Sequence, residues 1–95
     1  MKVFELSPIN NRKSFYGKAK VLQIDKDNIY LQSYNTIVCG FVNDIFERYW
    51  DGYSSTTMNH INSFLQYCGI FGGGKAWWLN QPIVDKEIEI SVDKL

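Results

Sequence analysis

The chain of 95 residues has few of the side chains on which catalysis and metal binding most often depend. It contains one histidine, and its two cysteines, Cys39 and Cys68, show neither a Cys-x-x-Cys spacing nor a histidine at ligand spacing. We interpret both as buried free thiols and expect no metal site and no cofactor. The run Gly72-Gly73-Gly74 matches neither the phosphate-loop nor the dinucleotide-binding pattern, so we interpret it as a flexible loop.

Long apolar runs are also missing. No run approaches the ~20 residues that a helix needs to cross a bilayer. The amino terminus lacks the charged and then apolar pattern of a signal peptide. These absences predict a soluble, cytoplasmic protein with no membrane partner.

The formal net charge is zero, but the charges are unevenly distributed along the chain. The first 26 residues carry six basic and two acidic side chains, so the remainder carries a surplus of four negative charges. This balance disfavours an acidic mimic of nucleic acid and leaves a basic edge near the amino terminus. Lysines that merely face water are the simpler interpretation of that edge.

Apolar and aromatic side chains are plentiful, at 45% and 16% of the residues. A chain of this length can bury one core but not two, so we expect a single domain. We divide it into an N-terminal arm (1–14), a β-meander (15–50), a helix (54–69), a glycine and tryptophan loop (70–82), and a C-terminal strand and tail (83–95).

Alternating and β-branched residues predict the strands, with a turn at Asn43-Asp44 and a bend or bulge near Ser33-Tyr34 in one long run. The predicted strand positions are 2–6 within the arm, then 15–24, 29–42 with its straight part at 36–42, 45–50, and 87–92.

A single amphipathic helix is predicted from about residue 55 to residue 67. Met58, Ile61 and Leu65 recur at spacings of three and four, Ser54 or Ser55 can cap the first turn, and Gly69 can end the helix. The residues expected to point away from the core are Asn59, Asn62, Ser63 and Gln66. The sequence therefore predicts an α+β fold: an antiparallel sheet of four to five strands with one main amphipathic helix packed on one face.

Three short motifs follow one another along the chain. They are Ser-Tyr-x-Thr-x-Val at 33–38, Gly-Tyr-Ser-x-Thr-Thr-x-x-His-Ile-x-x-Phe-Leu at 52–65, and Lys-x-x-Trp at 75–78. In this order they resemble a family of short, uncharacterised domains of phages and mobile elements in low-GC Gram-positive bacteria, over residues 15–79. The resemblance implies an origin but no activity. The glycine loop and the tail after Pro82 depart from its pattern.

His60 is the one candidate for a catalytic base. Hydrolysis would need a nucleophile, a base in hydrogen-bond reach and a third group that orients it, and no such set is evident. Asp51 and Glu47 are too few to complete an acid–base pair or a cation site. We expect His60 to be a histidine at the edge of the core, bonded to a strand residue. The hydroxyl groups at 53–57 are interpreted as helix caps, with anion binding at the helix start as the alternative.

Trp77 and Trp78 are adjacent, so the backbone cannot easily bury both on one face. We expect one to fill the core and the other to cover a flank or to stay exposed. The predicted partner-binding residues are Phe71, Lys75, Trp77 and Trp78, because tryptophan is common in binding hot spots. The alternative is that both tryptophans close the open end of the core.

These observations predict a protein that is not an enzyme. We expect a small phage-type accessory protein that binds and inhibits a host protein or ribonucleoprotein complex; the origin implied by the resemblance favours a defence target such as a CRISPR effector. The alternative is a nucleic-acid-binding module that uses a basic N-terminal strand for phosphates and Tyr16 or Tyr30 for base stacking. Its basic residues would be Arg12, Lys13, Lys18 and Lys20.

Overall fold

The computed structural model of the chain describes residues 2–6, 18–70 and 73–86. The strands are β1 (Lys2–Glu5), β2 (Ala19–Gln23), β3 (Asn28–Ser33), β4 (Thr36–Val42) and β5 (Ile45–Arg48), and the helices are α1 (Ser55–Tyr67) and α2 (Lys75–Asn80). The α+β class, with an antiparallel sheet and one main helix, is confirmed. Neither helix of the described part is long and apolar enough to cross a membrane. The predicted strand at 87–92 lies outside the described residues.

The sheet is an antiparallel meander in which strand order follows chain order, β1-β2-β3-β4-β5. The turn between β4 and β5 is formed by Asn43 and Asp44, both with positive φ, at 52° and 66°. Two successive positive φ angles match the right-handed twist of a hairpin, and Asn and Asp tolerate them well. The turn predicted at this position is therefore confirmed.

The connection between β3 and β4 confirms most of a prediction and corrects the rest. The strand predicted at 36–42 has these bounds, but residues 29–42 form two paired strands rather than one irregular strand, because Tyr34 takes a φ of 55° and the chain reverses there. A bulge follows, since Leu31 faces Cys39 while Gln32 faces Ile37. The extra residue of the bulge is Val38, and its side chain is buried in the core.

Helix α1 has the bounds that the sequence predicts. The Ser54 hydroxyl accepts a hydrogen bond from the backbone N–H of Thr57 at 3.1 Å, which confirms the capping interpretation for Ser54, and Gly69 after the last turn has a φ of 80°. The helix packs on β3. Its residues in the core cluster are Met58, Ile61, Phe64 and Leu65.

One residue of α1 is placed differently from the prediction. Ser63, expected to point away from the core, is only 3% exposed. Helical geometry sets Ser63 about 160° from Ile61 around the axis. Residues of α1 are therefore buried on a second side as well as on the side that faces the sheet. The apolar stripe in the sequence predicts only the latter.

The glycines before α2 make a defined contact with α1 at Gly73 and Gly74, while the flexibility expected of this loop stays a prediction. Both have positive φ, at 105° and 92°, and the N–H of Gly74 donates to Asn62 Oδ1 of α1 at 3.2 Å. A Cβ atom on Gly73 would overlap that same oxygen. Glycine is therefore required for contact between this segment and α1. Helix α2 then ends before Pro82, as predicted.

Candidate partner-binding surface

Trp78 fills the end of the core where α2 meets the sheet. Its side chain is fully buried, its indole N–H donates to the carbonyl of Gly52 at 2.8 Å, and its ring lies 6.5 Å from that of Trp50. A buried indole whose donor is satisfied stabilises the fold. Trp78 is therefore a core residue, and the prediction that it contacts a partner needs correction.

Trp77 lies on the flank of α2 and is partly buried. Its ring packs against Phe46 of β5 with the centroids 5.0 Å apart, and its carbonyl accepts a hydrogen bond from the side chain of Gln81. One tryptophan thus fills the core while the other covers a flank, as the sequence predicts. Trp77 therefore packs on the sheet through its ring and remains partly exposed.

Arg48 fastens α2 to the sheet, and sequence reasoning missed this role. The residue is only 4% exposed. Its Nε donates to the carbonyl of Trp50 at 2.9 Å, and its Nη1 donates to the carbonyls of Trp78 and Gln81 at 3.0 and 3.1 Å. The guanidinium also stacks on Trp78, with Cζ 4.5 Å from the ring centroid. One cation therefore joins three carbonyls from the end of β5 and from the end of α2.

Apolar and cationic side chains surround α2 on its exposed sides. Tyr53, Leu79 and Ile83 are each more than a third exposed, and the Lys75 ammonium lies 5.1 Å from the Tyr53 ring centroid. Lys75 and Leu79 are four residues apart and therefore share one side of the helix. We call Tyr53, Lys75, Trp77, Leu79 and Ile83 the α2 surface. Phe71, predicted to belong here, lies outside the described residues.

A second polar cluster lies between β3 and α1. His60 Nδ1 is 2.8 Å from Ser33 Oγ, which in turn lies 3.3 Å from Thr57 Oγ1, and the Tyr34 ring is 5.8 Å from the imidazole. The predicted hydrogen bond from His60 to a strand residue is confirmed. His60 is, however, fully inside the protein rather than at the edge of the core.

This cluster does not have the access that a catalytic site needs. Ser33 and His60 are both buried, while Asp51 is exposed. Glu47 lies one residue before Arg48 on β5 and so points to the opposite face of the sheet. There it accepts hydrogen bonds from Tyr49 at 2.6 Å and Lys86 at 3.1 Å. The three candidate acid–base residues are therefore not brought together.

Burial controls the ionisation of His60. It lowers the pKa of the imidazole, and the nearby charge of Lys18 lowers that pKa further. The folded state thus binds a proton less readily than the unfolded chain, whose histidine has a pKa of about 6.5. Stability should be highest above that pH and should fall as the pH drops from about 6.5 through the lower pKa of the folded state.

We expect this loss of stability in urea unfolding measured at intervals between about pH 7.5 and 5, above the range in which carboxylates titrate. His60→Gln is the matched variant, since it retains a polar group without a titration in this range. Its unfolding free energy should be lower at neutral pH but nearly independent of pH across the interval. An equal slope in both proteins would show that His60 is not responsible.

Both thiols are poor nucleophiles. Burial raises the pKa of Cys39 well above its ordinary value, with a smaller contribution from Cys68, and burial raises the pKa of Cys68 to about 11. A thiol of this kind stays protonated at neutral pH and reacts slowly. Both cysteines are free, as predicted.

The basic strand presents fewer accessible groups for nucleic acid than its sequence suggests. Lys18 is exposed, but Lys20 is partly buried and lies directly opposite Glu5 of β1. Tyr30 is nearly buried and packs on Tyr49 with the centroids 6.1 Å apart, so its ring is not open to a base. The other residues proposed for nucleic acid lie outside the described residues: Arg12, Lys13 and Tyr16.

Comparison with known proteins identifies the family but no activity. No curated protein and no solved structure matches the chain. The model of one family, described as a family of unknown function (DUF8033), matches residues 4–80. This match covers β1 from Phe4 onward, the other four strands, both helices and every residue of the α2 surface except Ile83. The chain therefore belongs to the family of unknown function DUF8033.

Proposed function

We propose that this domain is a non-enzymatic binding module that holds a host macromolecule through its α2 surface. The observation that carries the proposal is the placement of Trp77, whose ring packs on Phe46 at the flank of α2 and stays partly exposed. Its carrier helix is fixed by Arg48 and by the buried Trp78. An aromatic side chain held in this way loses little conformational entropy on binding.

Exposed side chains on the other sides of α2 extend the candidate surface, since Lys75 and Leu79 lie about 160° from Trp77 around the helix axis. Leu79 and Ile83 are 48% and 45% exposed, and Tyr53 and Lys75 add an aromatic ring and a cation. Exposed apolar side chains that cluster around one element mark interaction sites more often than scattered ones do. The surface suits a protein partner, or the protein part of a ribonucleoprotein complex.

A narrower form of the proposal concerns origin and target. The motifs at 33–38, 52–65 and 75–78 resemble domains of phages and mobile elements. On this support we propose a phage-type inhibitor that acts in the host cytoplasm on a bacterial defence effector, such as a CRISPR complex. A small domain without a catalytic set can inhibit such a target by occupying its surface.

Nucleic-acid binding through the basic strand is the second candidate. The exposed Lys18, together with the neighbouring Lys20, supports it. The carboxylate of Glu5 opposite Lys20 weakens it, because a like charge repels phosphate. The two candidates differ in their response to salt: phosphate binding through several cations falls steeply as salt rises, whereas an aromatic-centred interface changes little.

Trp77→Ala should weaken binding of the partner by about 2 kcal/mol, or roughly 30-fold in Kd, because it removes the anchoring ring of the surface. The partner would first be captured from a bacterial lysate on the immobilised domain, with and without nuclease, and then purified for calorimetric titration. Tyr67→Ala is the control, since Tyr67 is 54% exposed at the far end of α1 and packs on Phe4. We expect its affinity to match that of the parent.

The opposite pattern would reject the α2 surface. If Trp77→Ala keeps full affinity while Lys18→Glu and Lys20→Glu together abolish binding, the basic strand is the functional face. Loss of capture on nuclease treatment, combined with a steep salt dependence, would point the same way.

A further inference from the structure

Arg48 has donors that the fold does not use. A guanidinium carries five N–H groups, one on Nε and two on each Nη. The Nε–H and both Nη1–H groups are taken by the carbonyls of Trp50, Trp78 and Gln81. Within residues 2–6, 18–70 and 73–86, no hydrogen bond is made by Nη2.

The unused Nη2 reaches the surface. In the described part of the chain, every side-chain nitrogen or oxygen that is closed off from solvent has a hydrogen-bond partner. Since Nη2 has none, it is not closed off. The small exposed fraction of Arg48, 4%, therefore includes part of Nη2.

The positive charge of Arg48 also lacks a counterion among the described residues. The ion pair found there joins Lys86 to Glu47 on the opposite face of the sheet. Among the described residues, carbonyl dipoles and the face of the Trp78 ring balance the guanidinium, and two of the carbonyls come from the C-terminal end of α2. A cation in this setting gains more from a carboxylate than an exposed one does, because little water screens the pair.

We propose that Arg48 Nη2 is a binding site for one carboxylate group of a protein partner, carried next to an apolar side chain. The apolar side chain is expected on the partner because apolar residues of this chain lie near Arg48. Leu79 lies along the chain between Trp78 and Gln81, whose carbonyls Arg48 holds, and Ile83 pairs with Arg48 in an isolated β-bridge; both are exposed. The inference rests on the proposed binding function and names the chemistry of the partner.

A carboxylate fits this site better than a phosphate does. The site presents a single guanidinium edge among apolar side chains, which matches one negative charge. Phosphate sites in proteins usually gather several cations or backbone N–H groups. The exposed cation of α2, Lys75, lies over Tyr53 near the start of the helix, away from the end that Arg48 holds.

The test uses a small probe and two variants of Ile83. N-acetyl-leucine supplies a carboxylate beside an apolar side chain, and N-acetyl-leucinamide is its neutral match. Each would be titrated into the intact chain while the Trp78 indole N–H and the Arg48 Nε–H are followed by NMR. Ile83→Glu places a carboxylate beside Arg48 within the chain, and Ile83→Gln is its uncharged control at the same exposed position.

The acid should bind at least about tenfold more tightly than the amide, the difference expected for one charge-assisted hydrogen bond. Ile83→Glu should abolish this binding because its own carboxylate occupies the site, whereas Ile83→Gln should retain it. Equal binding of acid and amide, or equal effects of the two variants, would overturn the inference.

Inorganic phosphate provides the remaining arm of the test. Tighter binding of phosphate than of N-acetyl-leucine at Arg48 would overturn the assignment to a carboxylate. None of these measurements uses the biological partner. A negative result here therefore leaves the Trp77 experiment free to support or reject the proposed function.

Discussion

Arg48→Met should lower the free energy of unfolding by about 3 to 5 kcal/mol, measured by urea denaturation at pH 7.5. The substitution removes the charged donor of three hydrogen bonds, each contributing about 1.5 to 3 kcal/mol: one to the buried carbonyl of Trp78, which keeps only the N–H of Gln81, and two to the partly buried carbonyls of Trp50 and Gln81. Some of this cost is offset, because a buried charge is also removed.

The structural result should be the release of α2. A helix of six residues is too short to persist without packing. We therefore expect the Trp78 indole N–H to lose its protection against hydrogen exchange.

The matched control is Lys86→Met, which also replaces a cation by methionine. Lys86 is exposed and its pair with Glu47 is on the surface, so the change in unfolding free energy should stay within about 1 kcal/mol. If Arg48→Met unfolds at the same urea concentration as Lys86→Met, the three carbonyls do not depend on the guanidinium and Arg48 does not hold α2.

Ile61→Asp should unfold the domain. Ile61 is 1% exposed in the centre of the core face of α1, between Met58 and Leu65. The variant removes the apolar contacts of this residue and puts an unpaired carboxylate in their place, at a cost on the order of 5 kcal/mol. Because small domains have only about 5 to 15 kcal/mol of stability in total, we expect no cooperative thermal transition by circular dichroism.

Thr56→Asp separates the effect of the charge from that of its position. Thr56 is exposed in the first turn of α1, where a negative charge is favourable at the helix start. This variant should melt at or slightly above the temperature of the parent. A cooperative melt of Ile61→Asp within a few degrees of the parent would contradict the packing of α1 on the sheet.

The helix could be predicted from the sequence because each of its signals is local. Ser54 caps its own first turn, Gly69 follows its last turn, and the spacing of Met58, Ile61 and Leu65 defines a stripe. The hairpin at Tyr34 could not be predicted in the same way. A bulky residue with positive φ is uncommon, and no glycine marks the reversal.

The candidate site could be predicted only in part. The division of roles between Trp77 and Trp78 follows from the geometry of adjacent residues, which the sequence shows directly. No sequence feature pointed to the role of Arg48, because arginine is usually exposed. Its partners here are backbone carbonyls, which every residue carries, so no particular side chain marks them. The carbonyls of Trp78 and Gln81 are 30 and 33 residues away along the chain.

The meander order of the sheet has a consequence for the path of folding. Since each strand pairs with the next one in the chain, most of the structure forms by closing short loops, which costs little entropy. The contacts of Arg48 with the carbonyls of Trp78 and Gln81 are long-range, across 30 and 33 residues. Until α2 has been made, the guanidinium of a growing chain remains in water on an unfinished edge. Covering this charge is then one of the last steps by which the fold becomes complete.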